Sequence, residues 1–186
     1  MKRLFDIILA WIILLTLSIP MLIIALAVKL SSKGPALHWS SRVGVDNKIF
    51  KMPKFRTMIQ ETPALATHLL QDPKLYITKV GLFLRKYSLD ELPQLLCVIR
   101  GNMSFVGPRP ALFNQDDLIS LRTSKGVQKL VPGITGWAQI NGRDELTIPI
   151  KVAYDEYYML HRSLLFDIEI LMRTLLRVIK CDGISH

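Results

Sequence analysis

Met1-Lys2-Arg3-Leu4-Phe5-Asp6 leads into Ile7-Ile8-Leu9-Ala10-Trp11-Ile12-Ile13-Leu14-Leu15-Thr16-Leu17-Ser18-Ile19-Pro20-Met21-Leu22-Ile23-Ile24-Ala25-Leu26-Ala27-Val28, a run of 22 residues without a charge. As a helix, that run is long enough for the roughly 30 Å hydrocarbon core of a bilayer. Ala25-Leu26-Ala27 looks like a processing site, but the apolar part of a signal peptide is only about 7–15 residues, so an uncleaved anchor is expected. Pro20 lies inside the run, where it removes a backbone hydrogen bond and favours a kink. The hydroxyl of Ser18 can satisfy carbonyls freed there. Basic residues flank both ends, Lys2 and Arg3 before, Lys29 and Lys33 after, and such residues favour the cytoplasmic side. Two arrangements fit: a spanning helix, or one broken near Pro20 that enters and leaves by the same face.

Beyond the anchor, Ser31-Ser32-Lys33-Gly34-Pro35 is a breaker, dividing the chain into a membrane segment, 1–30, and a cytoplasmic catalytic domain, 31–186. Lys and Arg number 24 against 15 Asp and Glu. That balance suits an anionic membrane face, nucleic acid or small phosphorylated ligands. Nucleic acid is set aside, because a lipid-seeking segment comes first and no zinc-finger or RNP motif follows. Cys97 and Cys181 have no metal-ligand spacing and read as reduced thiols.

Arg42 to Met52 reads as a short hairpin around Asp46-Asn47. Helices are expected over Thr62–Leu70, Asp90–Ile99 and Leu118–Leu130, the last ended by Pro132-Gly133. Leu160, Leu164, Leu165, Ile168, Leu171, Met172, Leu175 and Val178 fall near helical spacing. That stripe is either the core face of a packed helix or a basic amphipathic helix on the membrane. The fold class is mainly α with a small β element: a membrane helix, amphipathic surface helices and a compact catalytic domain.

Four stretches carry chemistry. In Ser88-Leu89-Asp90-Glu91-Leu92-Pro93-Gln94 two adjacent carboxylates stand at a helix start, with Ser88 or Asp90 as N-cap. They either cap the helix or serve phosphate chemistry, Asp90 as nucleophile and Glu91 as a magnesium ligand. In Gly107-Pro108-Arg109-Pro110, two prolines present one guanidinium with little freedom, as bidentate phosphate binding or a rigid surface turn requires. Lys51-Met52-Pro53-Lys54-Phe55-Arg56 places Lys54 and Arg56 as further phosphate ligands or as a solvated strand face. Val131 to Arg143 is glycine-rich without Walker or dinucleotide spacing. There Gln139, Asn141 and Arg143 suit a base or sugar, or a structural turn.

With Lys54-Phe55-Arg56-Thr57-Met58, these motifs occur in an order and spacing that resemble the bacterial sugar transferases, specifically the small monotopic phosphoglycosyl transferases of the PglC type. The resemblance implies transfer of a sugar 1-phosphate from a UDP-sugar to polyprenyl (undecaprenyl) phosphate, with release of UMP. This is the first membrane step of glycoconjugate synthesis, feeding later glycosyltransferases of the same pathway. It further implies a covalent phosphosugar on Asp90, a Mg²⁺ cofactor associated with Glu91, and phosphate-binding roles for Lys54, Arg85 and Arg109. The implied location is the cytoplasmic face of the bacterial inner membrane, with a re-entrant N-terminal helix. Two departures stand out: Ser18-Ile19-Pro20 replaces the usual Ser-Pro, and Met52-Pro53 stands where an aromatic commonly precedes Lys54. Larger members carry spanning helices in front that this sequence does not show. The rival functions are a glycosyltransferase releasing UDP and a non-catalytic basic lipid-binding module.

Overall fold

A computed structural model describes residues 1–60, 62, 75–142 and 145–180. The expected helix over 62–70 therefore lies outside the described residues, apart from Thr62, as do Arg143 and Cys181.

The apolar run forms two helices, α1 (Lys2–Thr16) and α2 (Ser18–Ser31), bent by 64°. No single described helix is long and apolar enough to cross a membrane, whereas the bent pair passes that test together. Leu17 leaves helical geometry at φ −97°, ψ 8°. A proline ring clashes with the carbonyl four residues earlier, which for Pro20 is that of Thr16. The chain therefore turns just after Thr16 and leaves Pro20 in the first turn of α2, where a missing N–H costs nothing. Ser18 Oγ donates to the Leu15 carbonyl at 2.8 Å, and Thr16 Oγ1 donates to that of Ile12 at 2.9 Å.

Three side chains seat α1 on the rest of the protein. Buried Asp6 accepts from Ser104 Oγ at 2.8 Å and Phe105 N at 3.3 Å. Lys2 Nζ reaches Asp167 Oδ2 at 2.5 Å and the Val106 carbonyl at 3.1 Å. Arg3 donates to the carbonyls of Val98 and Ile99, near a helix C-terminus that favours a cation. Leu4, Ile8, Ile12 and Leu15 of α1 and Ile19 and Leu22 of α2 stay exposed.

β1 (Leu37–Val43) and β2 (Ile49–Phe55) form the expected antiparallel hairpin, with Leu37 opposite Phe55 and Val43 opposite Ile49. Asp46 and Asn47 take φ of 51° and 60° at its turn, a conformation their short polar side chains tolerate. α3 (Lys79–Lys86) packs Gly81 directly on the Thr57 backbone, where a Cβ would meet the Thr57 carbonyl oxygen at 2.1 Å.

The expected helix over 90–99 begins instead as a 3₁₀ turn, Leu89–Gln94, and becomes α4 only at Leu95–Arg100. Pro93 excludes the carbonyl of Leu89 from α-type bonding, and Ser88 sits at φ 53° without a side-chain capping bond. Neither expected cap geometry forms.

β3 (Ser104–Val106) pairs in parallel with β4 (Gly133–Thr135). Between them, α5 (Asp116–Ser124) stops before Gly126 at φ 76°, and Val127–Lys129 forms a separate 3₁₀ turn. The expected single helix over 118–130 is thus split, because a left-handed glycine terminates helices. α6 (Trp137–Ile140) leads to α7 (Ile148–His161) and α8 (Leu164–Lys180). Ser163 Oγ accepts from Phe166 N at 3.1 Å, so the C-terminal stripe restarts at a new cap. On α8, Asp167 and Ile170 are buried, while Leu165, Met172, Leu175 and Leu176 are exposed. The stripe is thus a core face in part: one side packs, and a broad apolar side stays exposed. Among the described residues the fold is mainly helical with two small sheets. Its core joins Ala10, Met52, Val98, Met103, Tyr158 and Ile170.

Candidate active site

The 3₁₀ turn brings Asp90 and Glu91 against β2 and the loop that follows β3. Lys54 Nζ, on β2, lies 2.7 Å from Glu91 Oε1 and 3.9 Å from Asp90 Oδ2. Arg109 Nη2 reaches the same Glu91 oxygen at 2.8 Å. Arg85, at the end of α3, donates from Nε to Thr57 Oγ1 at 2.9 Å, and its charge acts on Asp90. Thus Lys54, Arg85, Asp90, Glu91 and Arg109 converge from four segments.

The two carboxyls titrate in opposite directions. Burial dominates at Asp90 and raises its pKa; Lys54 opposes the rise and the charge of Glu91 reinforces it. Burial alone would raise Glu91 too, but Arg109 and Lys54, through charge and hydrogen bonds, hold it well below the usual carboxylate range. Burial also lowers Lys54, with Glu91 opposing. Glu91 is thus held as the anion, while Asp90 ionises less readily than an exposed aspartate. Paired acids pushed apart in this way divide chemical roles. The cations set the ionisation of Glu91, and burial outweighs them at Asp90.

A cavity of ≈ 240 Å³ adjoins this cluster. Ser88, Glu91 and Arg109 line it, and so does Ile13 of α1. Gln139 also lines it, and both polar atoms of its side-chain amide are buried without a partner. Unpartnered buried polar atoms are costly, and a ligand group in the cavity would satisfy them.

Two predicted ligands are placed elsewhere. Arg56 is buried and spends its guanidinium on the Ser32 and Lys33 carbonyls, both at 2.7 Å, and on Ser32 Oγ at 3.0 Å. It closes the end of α2 rather than facing the carboxylates. Asn141 donates to the Trp137 carbonyl at 2.8 Å, ending α6. Arg143 lies outside the described residues.

Sequence reasoning missed Arg122 and Asp155, a buried pair behind Arg109. They are 33 positions apart, and no spacing signal links them. It also missed His38, which lies opposite Lys54 in the β1–β2 register. Burial, then the charges of Lys54 and Arg42, lower the pKa of His38.

No group of three or more His, Cys, Asp or Glu that could hold a metal occurs among the described residues. Mg²⁺ needs no such cage, since one or two carboxylates plus substrate phosphates suffice. Glu91 fits that requirement: both cations share Oε1, leaving the other oxygen on the same ionised group.

The model of the bacterial sugar transferase family matches residues 1–181. The chain is 44% identical to the UDP-glucose:undecaprenyl-phosphate glucose-1-phosphate transferase of Escherichia coli, over 95% of this chain and 40% of that protein. It is 40% identical to the uncharacterized sugar transferase EpsL of Bacillus subtilis, over 100% of this chain and 91% of that one. Identity to the undecaprenyl-phosphate galactose phosphotransferase of Salmonella typhimurium is 35%, over 98% of this chain and 41% of the relative. The chain thus spans about two-fifths of two of these relatives and nearly all of the third. It belongs to the bacterial sugar transferase family.

Proposed function

We propose that this protein moves a sugar 1-phosphate from a UDP-sugar to polyprenyl phosphate and releases UMP. The observation that carries the reading is the shared grip of Lys54 and Arg109 on Glu91, beside a carboxyl, Asp90, that no cation holds as closely. In the first step an Asp90 oxygen forms a bond to the sugar-bearing phosphorus. The bond from that phosphorus to the bridging oxygen breaks, and UMP carries the electron pair away. In the second step a phosphate oxygen of the lipid attacks the same phosphorus and returns Asp90 as a free carboxylate. Arg85, Lys54 and Arg109 stabilise charge on the phosphoryl oxygens. When bound at Glu91, Mg²⁺ supplies charge neutralisation of the diphosphate.

The N-terminal pair serves as a re-entrant hairpin, residues 1–30, in the bacterial inner membrane, with 31–186 as the catalytic domain on the cytoplasmic face. The 64° bend, the exposed apolar side and the docking of Lys2 and Arg3 onto the domain support this arrangement. Exposed Leu165, Met172, Leu175 and Leu176 extend the lipid-facing surface. Because Ile13 lines the same cavity as Glu91, a lipid acceptor has a short path from the bilayer to the dyad.

The test is product identity. Purified protein, Mg²⁺, undecaprenyl phosphate and a panel of UDP-sugars are expected to yield UMP with one donor. UDP as product would instead mean attack at the sugar carbon, and no turnover with any donor would favour a lipid-binding module.

A further inference from the structure

In Gly107-Pro108-Arg109-Pro110-Ala111 the last four carbonyls are all held, from three separate segments, β4, β1 and α5. Gly133 N donates to the Pro108 carbonyl at 2.9 Å and Val43 N to that of Ala111 at 3.0 Å. Arg42 Nη1 donates to the Pro110 carbonyl at 3.2 Å. The Arg109 carbonyl is taken by Arg122 Nη1 at 2.8 Å. The same guanidinium gives Nε and Nη2 to Asp155 Oδ2 at 3.0 and 2.6 Å.

Both Arg122 and Asp155 are buried, at 8% and 1% exposure. A buried ion pair adds little to stability over an apolar pair of similar size, so stability alone is a weak reason for it. What an apolar pair lacks is the third donor, aimed at the main chain of Arg109. The two prolines cannot donate hydrogen bonds, and each restricts the residue before it to extended backbone. The direction of the Arg109 side chain therefore follows from where its main chain is fixed, and its Nη2 ends on Glu91.

We propose that Arg122, oriented by Asp155, is a positioning residue that sets the Arg109 guanidinium for phosphoryl transfer at the dyad. The inference rests on the phosphoglycosyl transfer reading for its catalytic consequence, but not for the clamp itself. A guanidinium displaced by about 1 Å is enough to lower turnover on the order of 100-fold.

The test uses two changes in the full chain, Arg122→Lys and the double change Arg122→Met/Asp155→Leu, each with and without Arg109→Ala. Hydrogen–deuterium exchange in detergent reads the loop, melting temperature reads the fold, and UMP release from a UDP-sugar panel reads turnover. The double change is expected to keep the melting temperature, speed exchange across 107–112 and cut kcat on the order of 100-fold. With Arg109→Ala already present it is expected to cut nothing further. Arg122→Lys, which keeps the charge, is expected to show the same pattern more weakly, and it carries the comparison if the double change unfolds. Unchanged exchange, or an equal loss of turnover with and without Arg109→Ala, overturns the proposal. If the unsubstituted protein releases UMP from no donor, the transferase reading fails. Exchange alone then decides the clamp: faster supports it, unchanged overturns it.

Discussion

Lys54 Nζ donates to Glu91 Oε1 across 2.7 Å, although the two residues are 37 positions apart in sequence. The ammonium also lies 3.9 Å from Asp90, where it is the strongest influence opposing the burial-driven rise of the Asp90 pKa. Lys54→Met removes that opposition, so Asp90 then needs a higher pH to ionise. The acid limb of the kcat/KM profile is expected to move to higher pH, with a lower plateau. An unmoved limb would mean that Asp90 is not the titrating group.

The dyad also predicts opposite stability effects from two similar substitutions. The raised pKa of Asp90 means that its contribution is favourable below its unfolded value and is lost as pH rises through the folded one. Asp90→Asn is therefore expected to raise the melting temperature near neutrality by about 2–4 °C, the shift that about 1 kcal/mol gives in a chain of this size. The gain should shrink in acid. Glu91 is depressed, so its contribution is present above its unfolded value and disappears as pH falls through the folded one. Glu91→Gln should lower the melting temperature near neutrality, and that loss should shrink in acid. Scanning calorimetry across pH reads both.

Much of the site was legible because its residues lie in short runs with few alternatives. Asp90-Glu91 and Pro108-Arg109-Pro110 restrict backbone and charge locally, and the hairpin at Asp46-Asn47 follows from turn chemistry. Arg56 was not legible: a cation five positions from Lys51 and two from Lys54 looks the same whether it meets a phosphate or, as here, main-chain carbonyls. Its role depends on α2 ending nearby. The turn at Leu17 rather than Pro20 reflects a clash that acts four residues upstream. Gly126 and Ser163 were readable breakers inside periodic apolar stretches, and the periodicity masked them. The Arg122–Asp155 pair joins α5 to α7, a tertiary contact with no local signature.

Asp6 offers a test of how α1 is seated. Its carboxylate serves both Ser104 Oγ and Phe105 N in a buried setting. Asp6→Ala leaves both donors without their acceptor, at a cost of about 1–3 kcal/mol for a buried unsatisfied group. A lower denaturation midpoint with an unchanged slope is expected in detergent. An unchanged midpoint would show that the contact is not maintained in solution.

The hairpin arrangement makes a topological prediction. With Cys181→Ser as background, a cysteine appended before Met1 and a separate Lys33→Cys variant are expected to react alike with a membrane-impermeant maleimide. Both should label in inverted vesicles and resist labelling in intact cells. Labelling of one end from each side would mean a spanning helix.

The most direct measurement is intact mass spectrometry of the protein after incubation with Mg²⁺ and a panel of UDP-sugars, without lipid acceptor. One donor is expected to add the mass of its sugar phosphate. That adduct should be absent from Asp90→Asn and should disappear from the parent protein when undecaprenyl phosphate is added. An adduct that persists in Asp90→Asn, or UMP production with no adduct at any time, would contradict Asp90 as the group that carries the phosphosugar.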